Sequence, residues 1–587
     1  MSLATETAAG RGSAAIPTDC HGQNFWRIDP AVQDLLALSL GRAELAHFRP
    51  HFDRLGELAG GRLDELAASA ERHPPVLRPR DRFGRDEDSI DYHPAYREME
   101  RIAWSDFGLV AMSHRGGVFG WPEPVSPLVK YTFKYLFVQA EFGLMCPVNG
   151  CDTAAHVVFK HGDDALKARL ARVLSQDMNE VLKITQFMTE KNGGSDLGSN
   201  ELRAERDGEH WRLHGEKWFC SHTDADYALV LARPAGAPAG TRGLGMFAVP
   251  RRLDDGSFNR SRIVRLKEKM GTRSMATGEV IFDGSLAYAV GDVADGIRTA
   301  MAPVNLSRLS HGVRAAAMMR RCLNEALQVA RQRVAFKKTL IDHPLMRRSL
   351  LKLMLPTEQA LSVFVFTAAA MREANAGQPR ARALLRIATA LLKFRACRDN
   401  VRVATAAMEV RGGLGYIEEW VHSRLVRDAH IGLLWEGTSN INGLDIITRA
   451  VRKDRAEEAL HAALLERLQQ PAIPTVLRSA LTAALDRSTA FARRIADDAA
   501  LEGHARAASS ALYHALSACL LAWEGAAIGS GGGDARRLLL AWLVLRHRAG
   551  RHDPFDLAGD AREHEVVDLL LDTAPVPLAR AQALLDT

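Results

Sequence analysis

The sequence predicts an α+β protein with four consecutive folded parts. These are an N-terminal helical domain, an antiparallel β-domain, a bundle of long helices and an extra C-terminal helical domain. Three observations predict it. Apolar residues recur at helical spacing up to about residue 180, as in PAVQDLLALSLGRAEL and DALKARLARVLSQDMNEVL. Short alternating runs separated by turn residues then take over, among them HWRLHGEKWF, YALVLARP, LGMFAVPR and GEVIFDG. From about residue 296 the helical period returns in three segments of about thirty residues, each reaching about 45 Å at 1.5 Å per residue.

Read in order, residues 1–25 form a disordered lead without the charged start and apolar middle of a signal peptide. Residues 26–180 form the helical domain, 181–295 the β-domain, 296–455 the bundle and 456–587 the additional helices. Pro356 should kink or interrupt the second long helix. In the last part, QPAIP and GSGGGD divide the helices.

Composition narrows the class. With 587 residues, 47% hydrophobic and 25% charged, the chain reads as an ordinary soluble globular protein. The charge, 76 − 70 = +6, neither requires nor excludes a nucleic-acid partner. Seven cysteines in so long a chain suggest a reducing compartment, and a cytoplasmic location is expected. Cys146 and Cys151 are a close pair with no second pair nearby, so no metal site is expected. LLLAWLVL at 538–545 is too short to span a membrane and reads as a buried helix.

Three stretches carry chemistry. MTEKNGGSDLGSN at 188–200 is a polar, glycine-rich loop before the β-domain. Gly193 and Gly194 allow close backbone approach, and Thr189 and Ser195 offer donors to a phosphate or heteroaromatic ring. MEVRGGLGY at 408–416 ends a long helix, where a glycine cap is expected in any case. LLWEGTSNI at 433–441 sets Glu436 beside Trp435. An acid among large apolar side chains is either a base with raised proton affinity or the lead into a helix capped by Thr438 or Ser439. The residues alone leave both open.

In this order and spacing, the motifs resemble the acyl-CoA dehydrogenase flavoprotein superfamily over about residues 90–450. YHPAYREM, KWFCS and KEKMGTRSMATGEV look closest to its longer, AidB-type (alkylation-response) branch. The resemblance implies bound FAD between the β-domain and the bundle, a homo-oligomer (dimer or tetramer), and α,β-desaturation of an acyl thioester. In that reaction Glu436 takes the α-proton and hydride passes to flavin N5. It further implies flavin contacts at Met188, Thr189, Gly194, Ser195, Phe219 (in place of the family's tryptophan) and Ser221. Arg333, Phe336, Gly412 and Gly413 match residues that reach a neighbouring subunit's FAD, and Thr438 and Asn440 match contacts just past the acid. Asn305 and Arg308 are carried over as substrate contacts. A second branch places its acid immediately before that arginine; here the position is Ser307, which leaves Glu436 as the base. Trp435 and Leu434 are expected to exclude water around it.

Departures are Glu409 and Pro344, where many relatives have glutamine. Rival readings are a DNA-associated flavoprotein with weak activity, an acyl-CoA oxidase and a non-catalytic acyl binder. The electron-transfer partner is not implied. Residues 451–587 hold 16 Lys+Arg against 18 Asp+Glu, a net of −2, which disfavours DNA as a partner and points the apolar C-terminal runs toward assembly.

Overall fold

The computed structural model describes residues 16–301, 304–550 and 561–586. Its first part holds helices Arg42–Gly60 (α1), Arg62–Arg72 (α2), Pro94–Arg101 (α3), Pro127–Val138 (α4) and Met145–His161 (α5). Ser126 starts α4 by accepting from the Val129 amide, with Pro127 in the first turn. This part also contains a β-hairpin, Val76–Arg80 against Asp86–Asp91. Its charged strands carry no apolar alternation for the helical reading to detect.

The expected lead needs correction. Residues 1–15 lie outside the described residues, but from residue 16 the chain is packed. Thr18 bonds Gln332, the Cys20 amide donates to Glu325, the Gly22 amide to the Gly60 carbonyl, and Phe25 is fully buried. These contacts hold a stretch whose composition looks disordered.

The β-domain comprises Ile184–Phe187 (β1), Arg203–Asp207 (β2), His210–Ser221 (β3), Tyr227–Pro234 (β4), Gly245–Pro250 (β5), Ser261–Leu266 (β6) and Thr277–Ala289 (β7). Pairing runs β4–β2–β3–β7–β5 and returns to β4, so the sheet closes on itself, with β6 on β7. Most pairs are antiparallel as expected, whereas β1 and β2 both run parallel to β4. Leu213, Val230, Phe247, Val280 and Phe282 fill its interior. A register shift between Lys217 and Cys220 marks a bulge in β3, a device that re-aims side chains.

The bundle consists of Val304–Gln332 (α6), Pro344–Asn375 (α7) and Pro379–Arg411 (α8), followed by Val421–Ile431 (α9) and Ser439–Leu444 (α10). Pro356 lies inside α7 without interrupting it. The additional helices include Ala456–Leu468 (α11), Thr475–Asp497 (α12), Ala505–Ser530 (α13) and Arg536–Val544 (α14). Both α7 and the Ala499–Ser530 stretch are long and apolar enough to cross a membrane, but 94% and 78% of those windows are buried inside the protein. Leu538 to Leu540 of α14 are buried within the same chain, so this run, expected to serve assembly, packs on its own fold. A buried ionic chain joins the parts: Asp29 meets Arg320, Arg320 meets Glu358, and Arg537 joins Glu358 to Glu524.

Candidate functional site

Glu436 stands in the turn between α9 and α10 with φ +55°, in the left-handed region, followed by Gly437 at φ +93°. A non-glycine residue there is strained and needs holding. Asn442 supplies part of the hold: its Nδ2 donates to the Gly437 and Thr438 carbonyls at 2.6 and 2.8 Å. Lys393 of α8 donates to the Gly437 carbonyl at 2.6 Å. Burial pulls the Lys393 ammonium below the usual lysine range, with Cys397 and Glu436 opposing. Thr438 is the residue before the helix, but its side chain makes no capping hydrogen bond.

The half-buried Glu436 carboxylate accepts from Ser307 Oγ at 2.8 Å, and Ser307 in turn accepts from Asn149 Nδ2 at 3.3 Å. Trp435 lies nearly parallel to Phe142, 6.4 Å away, and meets the edge of His311 at 5.4 Å. Leu434 is 61% exposed, a correction to its expected part in excluding water; that falls to Trp435 and Phe142. Ser307, Asn149, Phe142, His311 and Lys393 were not foreseen as site residues. Ser307 and His311 share a helical face of α6, and their i, i+4 spacing was the available signal.

The glycine-rich loop follows β1. Glu190 is buried inside it, paired with Lys217 at 2.6 Å and accepting from the Glu201 amide, also at 2.6 Å. Met188 is half-buried, and its carbonyl accepts from Asn200 and Lys217. A Cβ on Gly194 would come 2.8 Å from the Thr189 hydroxyl, so a larger residue there would have to displace the Thr189 side chain. Ser195 is exposed. On the β3 bulge, Phe219 is 54% exposed, an open aromatic face with the Lys267 ammonium 4.9 Å from its centre. Ser221 Oγ lies 3.4 Å from the Thr277 hydroxyl, which also accepts from Lys269. Burial lowers the Lys269 ammonium to about 8.

A second group lies at the far end of α6, about 39 Å from Ser307 at 1.5 Å per residue. Arg333 is exposed, donates to the Arg411 carbonyl at 3.3 Å and borders Gly412, which ends α8 at φ +76°. Gly413 is open to its surroundings. Phe336 tips a two-residue hairpin between Val334–Ala335 and Lys338–Thr339, with φ +49° and 93% exposure.

The remaining expected contacts are placed differently. Arg308 is buried and bonded to Asp445 at 2.6 Å, with Arg386 on the other oxygen, which makes it a tie between bundle helices rather than an open substrate group. Asn305 is half-buried one turn earlier. Thr438 and Asn440 are exposed, and Asn440 Oδ1 accepts from Arg506 of the additional domain.

Comparison with known proteins agrees with this architecture. Residues 16–180 match the adaptive response protein AidB N-terminal domain, 185–285 the acyl-CoA dehydrogenase middle domain and 294–451 the acyl-CoA dehydrogenase C-terminal domain. The chain belongs to the acyl-CoA dehydrogenase family, in its AidB-type branch. It is 33% identical to AidB of Escherichia coli (strain K12), over 68% of this chain and 74% of that one. It is 29% identical to acyl-CoA dehydrogenase family member 11 of Caenorhabditis elegans, over 72% and 70%. Among solved structures, Caenorhabditis elegans ACDH-11 in complex with C11-CoA matches with a TM-score of 0.85 at 25% identity, over 93% of this chain and 94% of that one.

Proposed function

We propose that the protein is an FAD-dependent dehydrogenase of acyl-CoA or a related acyl thioester, with Glu436 as the base. The observation that carries this reading is the Glu436 turn itself: a strained backbone, clamped by Asn442 and Lys393, presents one carboxylate beside Trp435 and Phe142. The Ser307 hydrogen bond orients Oε1 and leaves Oε2 to accept the α-proton. Trp435 and Phe142 exclude water, which protects a weak carbon acid's proton transfer from competition by solvent. The Glu436 backbone N–H is the family's donor to the thioester oxygen, where negative charge develops.

The residues present fit a flavin. Phe219 offers an open aromatic face, Gly194 packs against the Thr189 side chain, and the Thr189 and Ser195 hydroxyls stand by. Arg333 and Phe336 follow the far end of α6, with Gly412 beside Arg333, and the family resemblance assigns this edge to a neighbouring subunit's FAD. Homo-oligomerisation, each copy lending this edge to its neighbour, brings the two groups together. FAD, when bound, supplies the two-electron acceptor. The resemblance to a structure holding C11-CoA supports acyl-CoA as the ligand class.

The test is reconstitution with FAD followed by anaerobic titration with an acyl-CoA series. Retained FAD that bleaches with at least one thioester is expected; a folded preparation that takes up no FAD overturns the reading.

A second reading, DNA binding, has one observation in its favour. Arg395, Arg398, Arg402, Arg506 and Arg548 lie close enough to act on one another, with Asp399 among them.

A further inference from the structure

Helix α6 presents Ser307, His311 and Arg314 at positions i, i+4 and i+7, one face extending about 10 Å. All three meet the Trp435–Glu436 turn. Ser307 holds the carboxylate and His311 meets Trp435 edge-on. The Arg314 guanidinium lies 5.2 Å from the centre of Phe142 and 5.6 Å from that of Trp435.

Arg314 is 1% exposed. A buried cation costs several kcal/mol unless it is paired and hydrogen-bonded. Aromatic faces offset part of that, but they do not satisfy the in-plane N–H groups. Among the described residues, Nε and Nη1 of Arg314 and Nδ1 of His311 meet no hydrogen-bond partner. Glu436 attracts Arg314, but its Oε1 is engaged by Ser307. Lys393 and Lys134 stand on the same interior, the latter paired with Asp152 at 2.7 Å. The guanidinium beside the base therefore carries unanswered N–H donors, where a plain alkyl chain would be served by apolar side chains.

Resting on the dehydrogenase reading, we propose that Arg314 receives an anionic end on the acyl group, so that the preferred substrate is the thioester of a short dicarboxylic acid. A carboxylate would take the guanidinium fork in the plane that the aromatic rings leave open. The guanidinium lies against Trp435, the chain neighbour of the base, which suits an acid group a few carbons from the thioester.

Glutaryl-CoA and pentanoyl-CoA have equal chain lengths and differ in ending with a carboxylate or a methyl. Isothermal titration of the full-length protein, as purified, should show glutaryl-CoA binding at least ~10-fold more tightly, since a charge-assisted pair contributes about 1.5–3 kcal/mol. Arg314→Met should abolish or reverse that preference, and Arg314→Lys, which keeps the charge without the fork, should fall between. Wild-type protein that binds pentanoyl-CoA as tightly or more tightly, an Arg314→Met variant that keeps the preference, or binding of neither thioester would overturn the proposal. Flavin bleaching separates the two readings. Bleaching by pentanoyl-CoA without any preference for the acid removes this inference alone; a preference for the acid without bleaching by either thioester removes the dehydrogenase reading alone.

Discussion

Ser307 Oγ donates to Glu436 Oε1 at 2.8 Å, joining the first turn of α6 to the strained turn before α10. The position that, by resemblance, carries an acid in another branch of the family is occupied here by a hydroxyl that fixes the direction of the Glu436 carboxylate.

Glu436→Gln keeps the shape of the side chain and removes its basicity. The variant should retain FAD and fold, but flavin reduction by any thioester that bleaches the wild type should slow by about 10²–10⁴-fold. Stopped-flow absorbance under anaerobic conditions reads the rate directly. A wild-type rate in the variant would assign the base to another group.

Arg333→Ala should weaken FAD retention by about 10-fold or more, the loss of one charge-assisted contact. Because Arg333 lies about 39 Å from Ser307 along α6, the loss should follow the oligomer rather than the monomer. Fluorescence titration with FAD, alongside light scattering for mass, measures both. Unchanged affinity in a variant of unchanged mass would remove Arg333 from the cofactor site.

Arg537 is buried, with Nη1 on Glu358 at 2.7 Å and Nε on Glu524 at 2.8 Å. Arg537→Met would leave Glu524 without that cation and Glu358 with Arg320 alone. Breaking a buried pair on one side typically costs about 3–5 kcal/mol. The urea midpoint should drop accordingly, and a chain ending near residue 455, which lacks both Arg537 and Glu524, should lose solubility. An unchanged midpoint would show that water replaces the guanidinium.

Asp428 is buried near Glu71 and Glu141; burial first, then those carboxylates, raises its pKa to about 8. An unfolded aspartate titrates near 3.9. Between about pH 4 and 8 the native state therefore holds a proton that the unfolded chain has released. Stability should fall as pH rises through that window, by at most about 1.4 kcal/mol per unit from this group. Asp428→Asn keeps an oxygen for the Thr272 amide, 2.6 Å away in the wild type, and should flatten the slope. Urea unfolding at pH 6, 7, 8 and 9 compares the two proteins.

The arginine cluster around Asp399 gives the DNA reading a definite place, while the net charge of −2 over residues 451–587 argues against a broad electrostatic footprint. No steep salt dependence is expected in a duplex-DNA titration. A protein neutralising six or more phosphates would lose about 10³-fold in affinity between 50 and 200 mM salt. Micromolar binding at physiological salt, abolished by Arg506→Glu, would favour the DNA-associated reading.

Periodicity by itself determined the order of helices, β-domain and long bundle, because alternation at two residues and recurrence at 3.6 are local properties of the chain. Short motifs placed the glycine that ends α8 and singled out the acid at 436, since caps and motifs are short-range. Periodicity did not reveal the packing of residues 16–25, where Cys20 and Phe25 anchor a polar stretch, or the charged hairpin at 76–91. Only the tertiary structure decided that Arg308 belongs to Asp445, that LLLAWLVL closes on its own chain, and that Arg314 is buried between two rings. Each of these depends on a partner far away in sequence. A charge reads the same in the sequence whether it faces water, a carboxylate or an aromatic ring, and only the fold chooses among them.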